Sequence, residues 1–182
     1  GIGPDVALQQ TQADPLNYAL RNAVCDLSEF AGAEEVKSRF YGSALEPFSY
    51  NGGLYALPET QTFPVMYYRS DIFEELGIQP PETWKEVFKV LSILQKSNMT
   101  IGIPAPSSVV GAMDGMTSYL ILLLQHGGSL YSEDNKQSAL DESGAIDAFK
   151  QWCSLYIDYD LPLKYDAATR FRSGEMPLII AD

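Results

Sequence analysis

Residues 50–73 read Tyr-Asn-Gly-Gly-Leu-Tyr-Ala-Leu-Pro-Glu-Thr-Gln-Thr-Phe-Pro-Val-Met-Tyr-Tyr-Arg-Ser-Asp-Ile-Phe. Asn51-Gly52-Gly53 supplies residues that tolerate positive φ, so a tight turn is expected there, with Leu54–Leu57 entering a strand from a hairpin-like corner. A second strand is expected over Phe63–Tyr68, a largely apolar run with aromatic and β-branched members. Between them lies Pro58-Glu59-Thr60-Gln61-Thr62, polar, with one proline and no glycine. Two buried strands joined by a polar extended piece describe a chain that leaves one compact body and enters another. One ordinary sheet with a surface loop fits the spacing as well. The reading carried forward is α/β in two bodies: residues 1–58, a linking segment 59–62, and residues 63–182.

Downstream, Ser70–Leu76 places Ile72, Phe73 and Leu76 at helical spacing, with Ser70 or Asp71 as cap and Gly77 as the stop. Thr83 caps a helix over Trp84–Lys96 whose buried stripe is Val87, Val90, Leu91 and Leu94. Trp84, in the first turn of that helix, is assigned to packing. Thr100–Pro104 reads as the next strand, with Ile101 and Ile103 on one face. A long helix is expected over Met113–His126, ended by Gly127-Gly128. Another runs from Asp141 or Ser143 to Tyr156, with Ala145, Ala148, Phe149, Trp152 and Tyr156 on one side. Ala167–Arg172 reads as a short helix stopped at Gly174, and Pro177–Ala181 as a final buried strand.

Upstream, Gly3–Leu8 reads as a turn and a short buried strand, followed by the loop Gln9-Gln10-Thr11-Gln12. Ligands of open α/β sheets sit outside the carboxyl ends of strands, which makes Gln9, Gln10 and Gln12 candidate contacts beside the reading of a solvated loop. Pro15–Asn22 is expected to be a short helix capped by Asp14, and Glu34–Phe40 a one-sided helix carrying Val36 and Phe40.

The 182 residues are 46% apolar and 12% aromatic, the composition of a globular protein. A net charge of −12 argues against a nucleic-acid partner, because phosphate neutralisation needs clustered Lys and Arg. The longest apolar stretch, Tyr119–Leu124, is far short of a membrane span, and no signal peptide opens the sequence. Cys25 and Cys153 stand far apart without a CxxC pattern, so no disulfide framework and no metal site is expected. The single histidine, His126, reads as a helix-end residue.

The order Tyr-Asn-Gly-Gly-Leu-Tyr-Ala-Leu-Pro (50–58), Tyr-Tyr-Arg-Ser-Asp-Ile-Phe (67–73) and Pro-Glu-Thr-Trp-Lys-Glu (81–86) resembles extracellular solute-binding proteins of carbohydrate ABC transporters. Gly3-Pro4-Asp5, the double glycine before Ser129-Leu130-Tyr131, and Gly174-Glu175 before Leu178-Ile179-Ile180 extend the resemblance through almost the whole chain. It implies a type II periplasmic-binding-protein-like fold of two lobes joined by a hinge, the hinge being 59–62. It also implies that the chain is an internal fragment, holding part of lobe one and most of lobe two. Lobe-one contacts fall on the loop of Gln9, Gln10 and Gln12, where relatives often carry an aromatic or acidic group. Lobe-two contacts fall at the start of the 113–126 helix, on Asp114, Thr117 and Tyr119.

The implied ligand is a sugar or oligosaccharide. Sugar sites need aromatic rings against C–H faces and planar amides or carboxylates on the hydroxyls. Eleven tyrosines, with Glu59, Thr60, Gln61 and Thr62 in the link, suit that chemistry. The implied partners are the membrane permease subunits of an importer. The implied location is extracellular or periplasmic, tethered as a lipoprotein in the parent. No catalysis and no cofactor is expected. Two alternatives use other chemistry: a sugar-sensing or adhesion module on the same fold, and a glycosidase acting through two carboxylates. For the glycosidase, the count of 24 acidic residues carries no weight, since some pair always looks suitable. No Gly-x-Ser-x-Gly, His-Glu-x-x-His or phosphate-loop pattern occurs.

Overall fold

The structure, a computed structural model, describes residues 3–11, 13–104 and 116–181, and the chain falls into two units, Gly1–Thr62 and Phe63–Asp182. The first unit forms α1 (Asp14–Ala19), α2 (Ala33–Lys37), α3 (Gly42–Leu45), β1 (Ser49–Tyr50) and β2 (Gly53–Leu54), with tight 3₁₀ turns at Leu27–Glu29 and Glu46–Phe48. Pro15 sits in the first turn of α1, where a missing N–H is no loss. The N-cap is Ala13 rather than the expected Asp14. The Asp14 carboxylate instead reaches back, accepting from Thr11 Oγ1 at 2.7 Å and Thr11 N at 3.2 Å.

β1 and β2 pair antiparallel, Ser49 opposite Leu54 and Tyr50 opposite Gly53. The expected corner is a two-residue hairpin turn, with φ of 49° at Asn51 and 83° at Gly52. The strand it opens covers Gly53–Leu54 and not the whole of Leu54–Leu57. Asp26 holds the hairpin down: its Oδ1 accepts Ser28 N at 2.8 Å and Leu54 N at 3.0 Å. That approach requires glycine at position 53, because a Cβ there would lie 2.4 Å from Asp26 Oδ2.

The strand expected within Gly3–Leu8 does not form. Val6 and Leu8 are 75% and 73% exposed in an irregular segment. A strand needs an edge to pair with, and among the described residues of this unit the one ladder is the two-residue hairpin.

The second unit contains β3 (Val65–Tyr68), α4 (Ser70–Leu76), α5 (Trp84–Lys96), β4 (Ile101–Gly102), α6 (Thr117–Gln125), α7 (Ser143–Ile157), α8 (Ala167–Ser173) and β5 (Leu178–Ala181). β5 is the central strand, with β3 antiparallel on one side and β4 parallel on the other. The runs at Phe63–Tyr68 and Thr100–Pro104 therefore contribute to one mixed sheet, and the fold is α/β. β3 starts after Pro64, since proline has no N–H for a ladder. Paired on one side, it is not the buried strand expected: Met66, Tyr67 and Tyr68 are exposed.

α5 matches its sequence signature. The Thr83 hydroxyl accepts from Glu86 N, and the Glu86 carboxylate accepts from Glu82 N at 2.9 Å, which holds its pKa below the usual value. Val87, Val90, Leu91 and Leu94 are its buried residues. α4 ends at Gly77, φ 64°, as expected, but its N-cap is Arg69, not Ser70 or Asp71. The Arg69 guanidinium pairs with the Asp71 carboxylate and also donates to Phe171 O at 3.1 Å and Arg172 O at 3.0 Å. One side chain thus joins the β3–α4 corner to the end of α8. α6 and α7 pack on each other, and Leu91, Leu94, Leu122, Leu155 and Ala148 form the fully buried centre. Phe149, expected on the buried side of α7, is 51% exposed; its ring meets Tyr119 and Trp152 at the margin of the core.

Candidate functional site

The register of the sheet in the second unit gathers three chain ends on one edge. β4 runs parallel to β5, so Gly102 and Ala181 finish on the same side, while Val65, the first residue of β3, lies opposite Ala181. The polar segment Glu59–Thr62 leads through Phe63-Pro64 into that edge. It is also the carboxyl edge of β4 and β5, where α/β sheets bind ligands.

Aromatic and hydroxyl groups are held just past the end of β4 and at the start of α6. The Tyr165 hydroxyl donates to Ile103 O, just past the end of β4. Its ring lies against the strand, and a Cβ on Gly102 would come within 3.3 Å of it. Burial pushes the Tyr165 hydroxyl up to about 12, and the neighbouring Tyr156 adds to the shift. Tyr156 is itself raised by burial, against the opposing influence of Ser118 and Trp152. Trp152 Nε1 donates to Ser118 Oγ at 2.8 Å, which ties α7 to the first turn of α6. The indole is 5.6 Å from the Tyr156 ring, edge-on, and 6.0 Å from Tyr119. Ser118 at the start of α6 is thus tied to Trp152 of α7, whose ring meets Tyr156, while Tyr165 is tied to the residue after β4.

The residues singled out from sequence fall in two groups. Thr117 opens α6 and is half-buried. Tyr119 is 5% exposed, with its hydroxyl directed at Ala145 O at 3.4 Å, so it is packed as a core residue. Gln9, with a φ of 55°, and Gln10, whose Nε2 donates to Leu8 O at 2.9 Å, are exposed in the first unit. Glu59, Thr60, Gln61 and Thr62 are exposed in irregular chain at the end of that unit, with a bend at Glu59. Gln12 and Asp114 lie outside the described residues. Ser118, Tyr156 and Tyr165 are participants that sequence reasoning did not single out; the 149, 152, 156 aromatic spacing was legible, but as a core stripe. His126 ends α6, its Nε2 2.9 Å from Gln151 Oε1. Cys25 and Cys153 both carry free thiols. Among the described residues there is no cluster of three or more metal-binding side chains, and no helix is long and apolar enough to cross a membrane.

A family model described as bacterial extracellular solute-binding protein matches residues 3–180. A Brucella abortus relative, whose name claims no more than binding, is 28% identical over 158 residues, 81% of this chain and 37% of the relative. A sugar transporter of Arthrobacter chlorophenolicus, solved with bound laminaribiose, superposes with a TM-score of 0.72 at 17% identity, over 94% of this chain and 45% of that one. UgpB of Mycobacterium tuberculosis, solved with glycerophosphocholine, gives 0.73 at 19% identity, over 93% and 43%. The chain therefore spans less than half the length of each of these three proteins.

Proposed function

The chain belongs to the bacterial extracellular solute-binding proteins, and from that premise we propose that it captures a sugar or oligosaccharide for an ABC importer. The contacts proposed for the ligand are drawn from residues of both units. Gln9, Gln10, Gln12 and Glu59–Thr62 touch it from the first, Asp114 and Thr117 from the second, and Tyr119 supports the second set from within the core. Residues 59–62 act as a hinge, and the closed form is recognised by permease subunits. The working location is extracellular or periplasmic, with a lipid tether in the full protein. No catalytic step, cofactor or metal enters this reading.

The proposal rests on the carboxyl edge of β4 and β5, where the Tyr165 hydroxyl is held on Ile103 O, and on the first turn of α6, where the Trp152 indole holds Ser118. Neutral polyhydroxy ligands suit such groups. A phosphodiester calls for clustered cations, and the chain has 12 Lys and Arg against 24 Asp and Glu. The test is thermal melting of the full-length protein with laminaribiose, longer glucans and glycerophosphocholine. A ligand bound by the native state alone raises the melting point. A rise with a saccharide and none with glycerophosphocholine is expected. The reverse pattern would remove the sugar reading, and consumption of the saccharide, read by chromatography, would replace binding with carboxylate-dependent hydrolysis.

A further inference from the structure

The five asparagines differ in what their following peptide nitrogen does. Asn22, Asn51, Asn98 and Asn135 all hold left-handed φ angles between 49° and 57°. After three of them the next N–H is engaged: Ala23 N donates to Tyr18 O at 2.9 Å, Met99 N to Leu94 O at 3.0 Å, and Lys136 N to Asp134 Oδ1 at 3.2 Å. Asn17 is inside α1, its carboxamide donating to Ala13 O at 3.0 Å. Asn51 is different. Gly52 N meets no acceptor among the described residues, and the Asn51 carboxamide makes no hydrogen bond either. Both residues are exposed, and Gly52 has no Cβ to obstruct an approach to its nitrogen.

We propose that Asn51 is a site of spontaneous backbone modification, through attack of the Gly52 nitrogen on the Asn51 side-chain carbonyl. The Gly52 amide loses its proton to solvent, and its nitrogen forms a bond to Asn51 Cγ. The Cγ–Nδ2 bond then breaks and ammonia leaves, giving a five-membered succinimide. Water opens that ring at either carbonyl, to aspartate or to isoaspartate; no oxidation state changes. The rate rises with pH, because the attacking nitrogen must be deprotonated. Isoaspartate adds a backbone carbon inside a two-residue turn that tolerates none, so the Tyr50–Gly53 pairing and the Asp26 bond to Leu54 N are the contacts it breaks.

The experiment is incubation of the native full chain at mildly alkaline pH, with peptide mapping by mass spectrometry and methyl labelling by an isoaspartate methyltransferase. A parallel sample is held in urea. The expected result in the native sample is conversion at Asn51 with the other four asparagines intact, and loss of methyl labelling in Asn51→Gln. Conversion of Asn51 in urea but not in the native protein would overturn the proposal, since the folded turn would then protect it. Native conversion at Asn22, Asn98 or Asn135 ahead of Asn51 would overturn it equally, because hydrogen bonding of the following nitrogen would then not decide the order.

Discussion

Asp26 Oδ1 accepts two backbone N–H groups, one from Ser28 and one from Leu54, the second 28 positions along the chain from Asp26. Those two bonds, Leu54 first, hold its pKa below the usual carboxylate value. A carboxylate with a depressed folded pKa contributes stability that is present above its unfolded pKa and lost as pH falls through the folded one. Amide exchange at Leu54 is therefore expected to lose protection as pH drops below the ordinary carboxylate range. Asp26→Asn keeps an oxygen that can accept both N–H groups but removes the charge, so its protection is lower at neutral pH and flat on acidification. Pronounced acid sensitivity in the variant would mean another group carries the effect. Gly53→Ala tests the same contact sterically: its methyl would meet Asp26 Oδ2 and the Tyr55 hydroxyl, and loss of Leu54 protection at every pH is expected.

Helix α5 sets the scale for elements. Leu91 is 0% exposed, and Leu91→Ala is expected to destabilise the second unit by about 2–5 kcal/mol, the lost transfer energy plus a residual cavity. Thr83→Ala, removing only the cap, should cost about 1 kcal/mol. Urea unfolding of both variants checks the order, and a cap effect equal to the core effect would show that α5 is held by its end and not its face. Arg69→Lys keeps the charge but loses the planar fork that spans Asp71 and the carbonyls of Phe171 and Arg172, so faster amide exchange is expected in α8. α5 was legible from sequence because its cap and apolar period are both local. The link Arg69 makes to α8 was not, because the carbonyls of Phe171 and Arg172 lie more than a hundred positions away. The Gly3–Leu8 segment misled for a related reason: apolar alternation describes a strand only where an edge exists to receive it. At the candidate site, the polar start of α6 could be read from Thr117, whereas Tyr165 could not, since it gains meaning only by reaching Ile103 O from a connecting loop.

At the scale of the whole molecule, the proposed contacts belong to a chain much shorter than the relatives it matches. It covers 37% of the Brucella relative and under half of the Arthrobacter and Mycobacterium structures. A longer protein of this family would bring further groups to the ligand. Two hydroxyl contacts and one stacked ring together supply about 2–4 kcal/mol, or a factor of about 30 to 1,000 in affinity. The 182 residues by themselves are therefore expected to bind laminaribiose weakly or not at all, relative to the full-length protein. Calorimetry on both, with the same saccharide and buffer, measures the difference. A deficit of that size places part of the site in the remaining chain. Equal affinities would put the whole site within these residues. In that case Thr117→Ala, at the opening of α6, becomes the decisive variant: unchanged binding there would move the site away from the edge formed by β4 and β5.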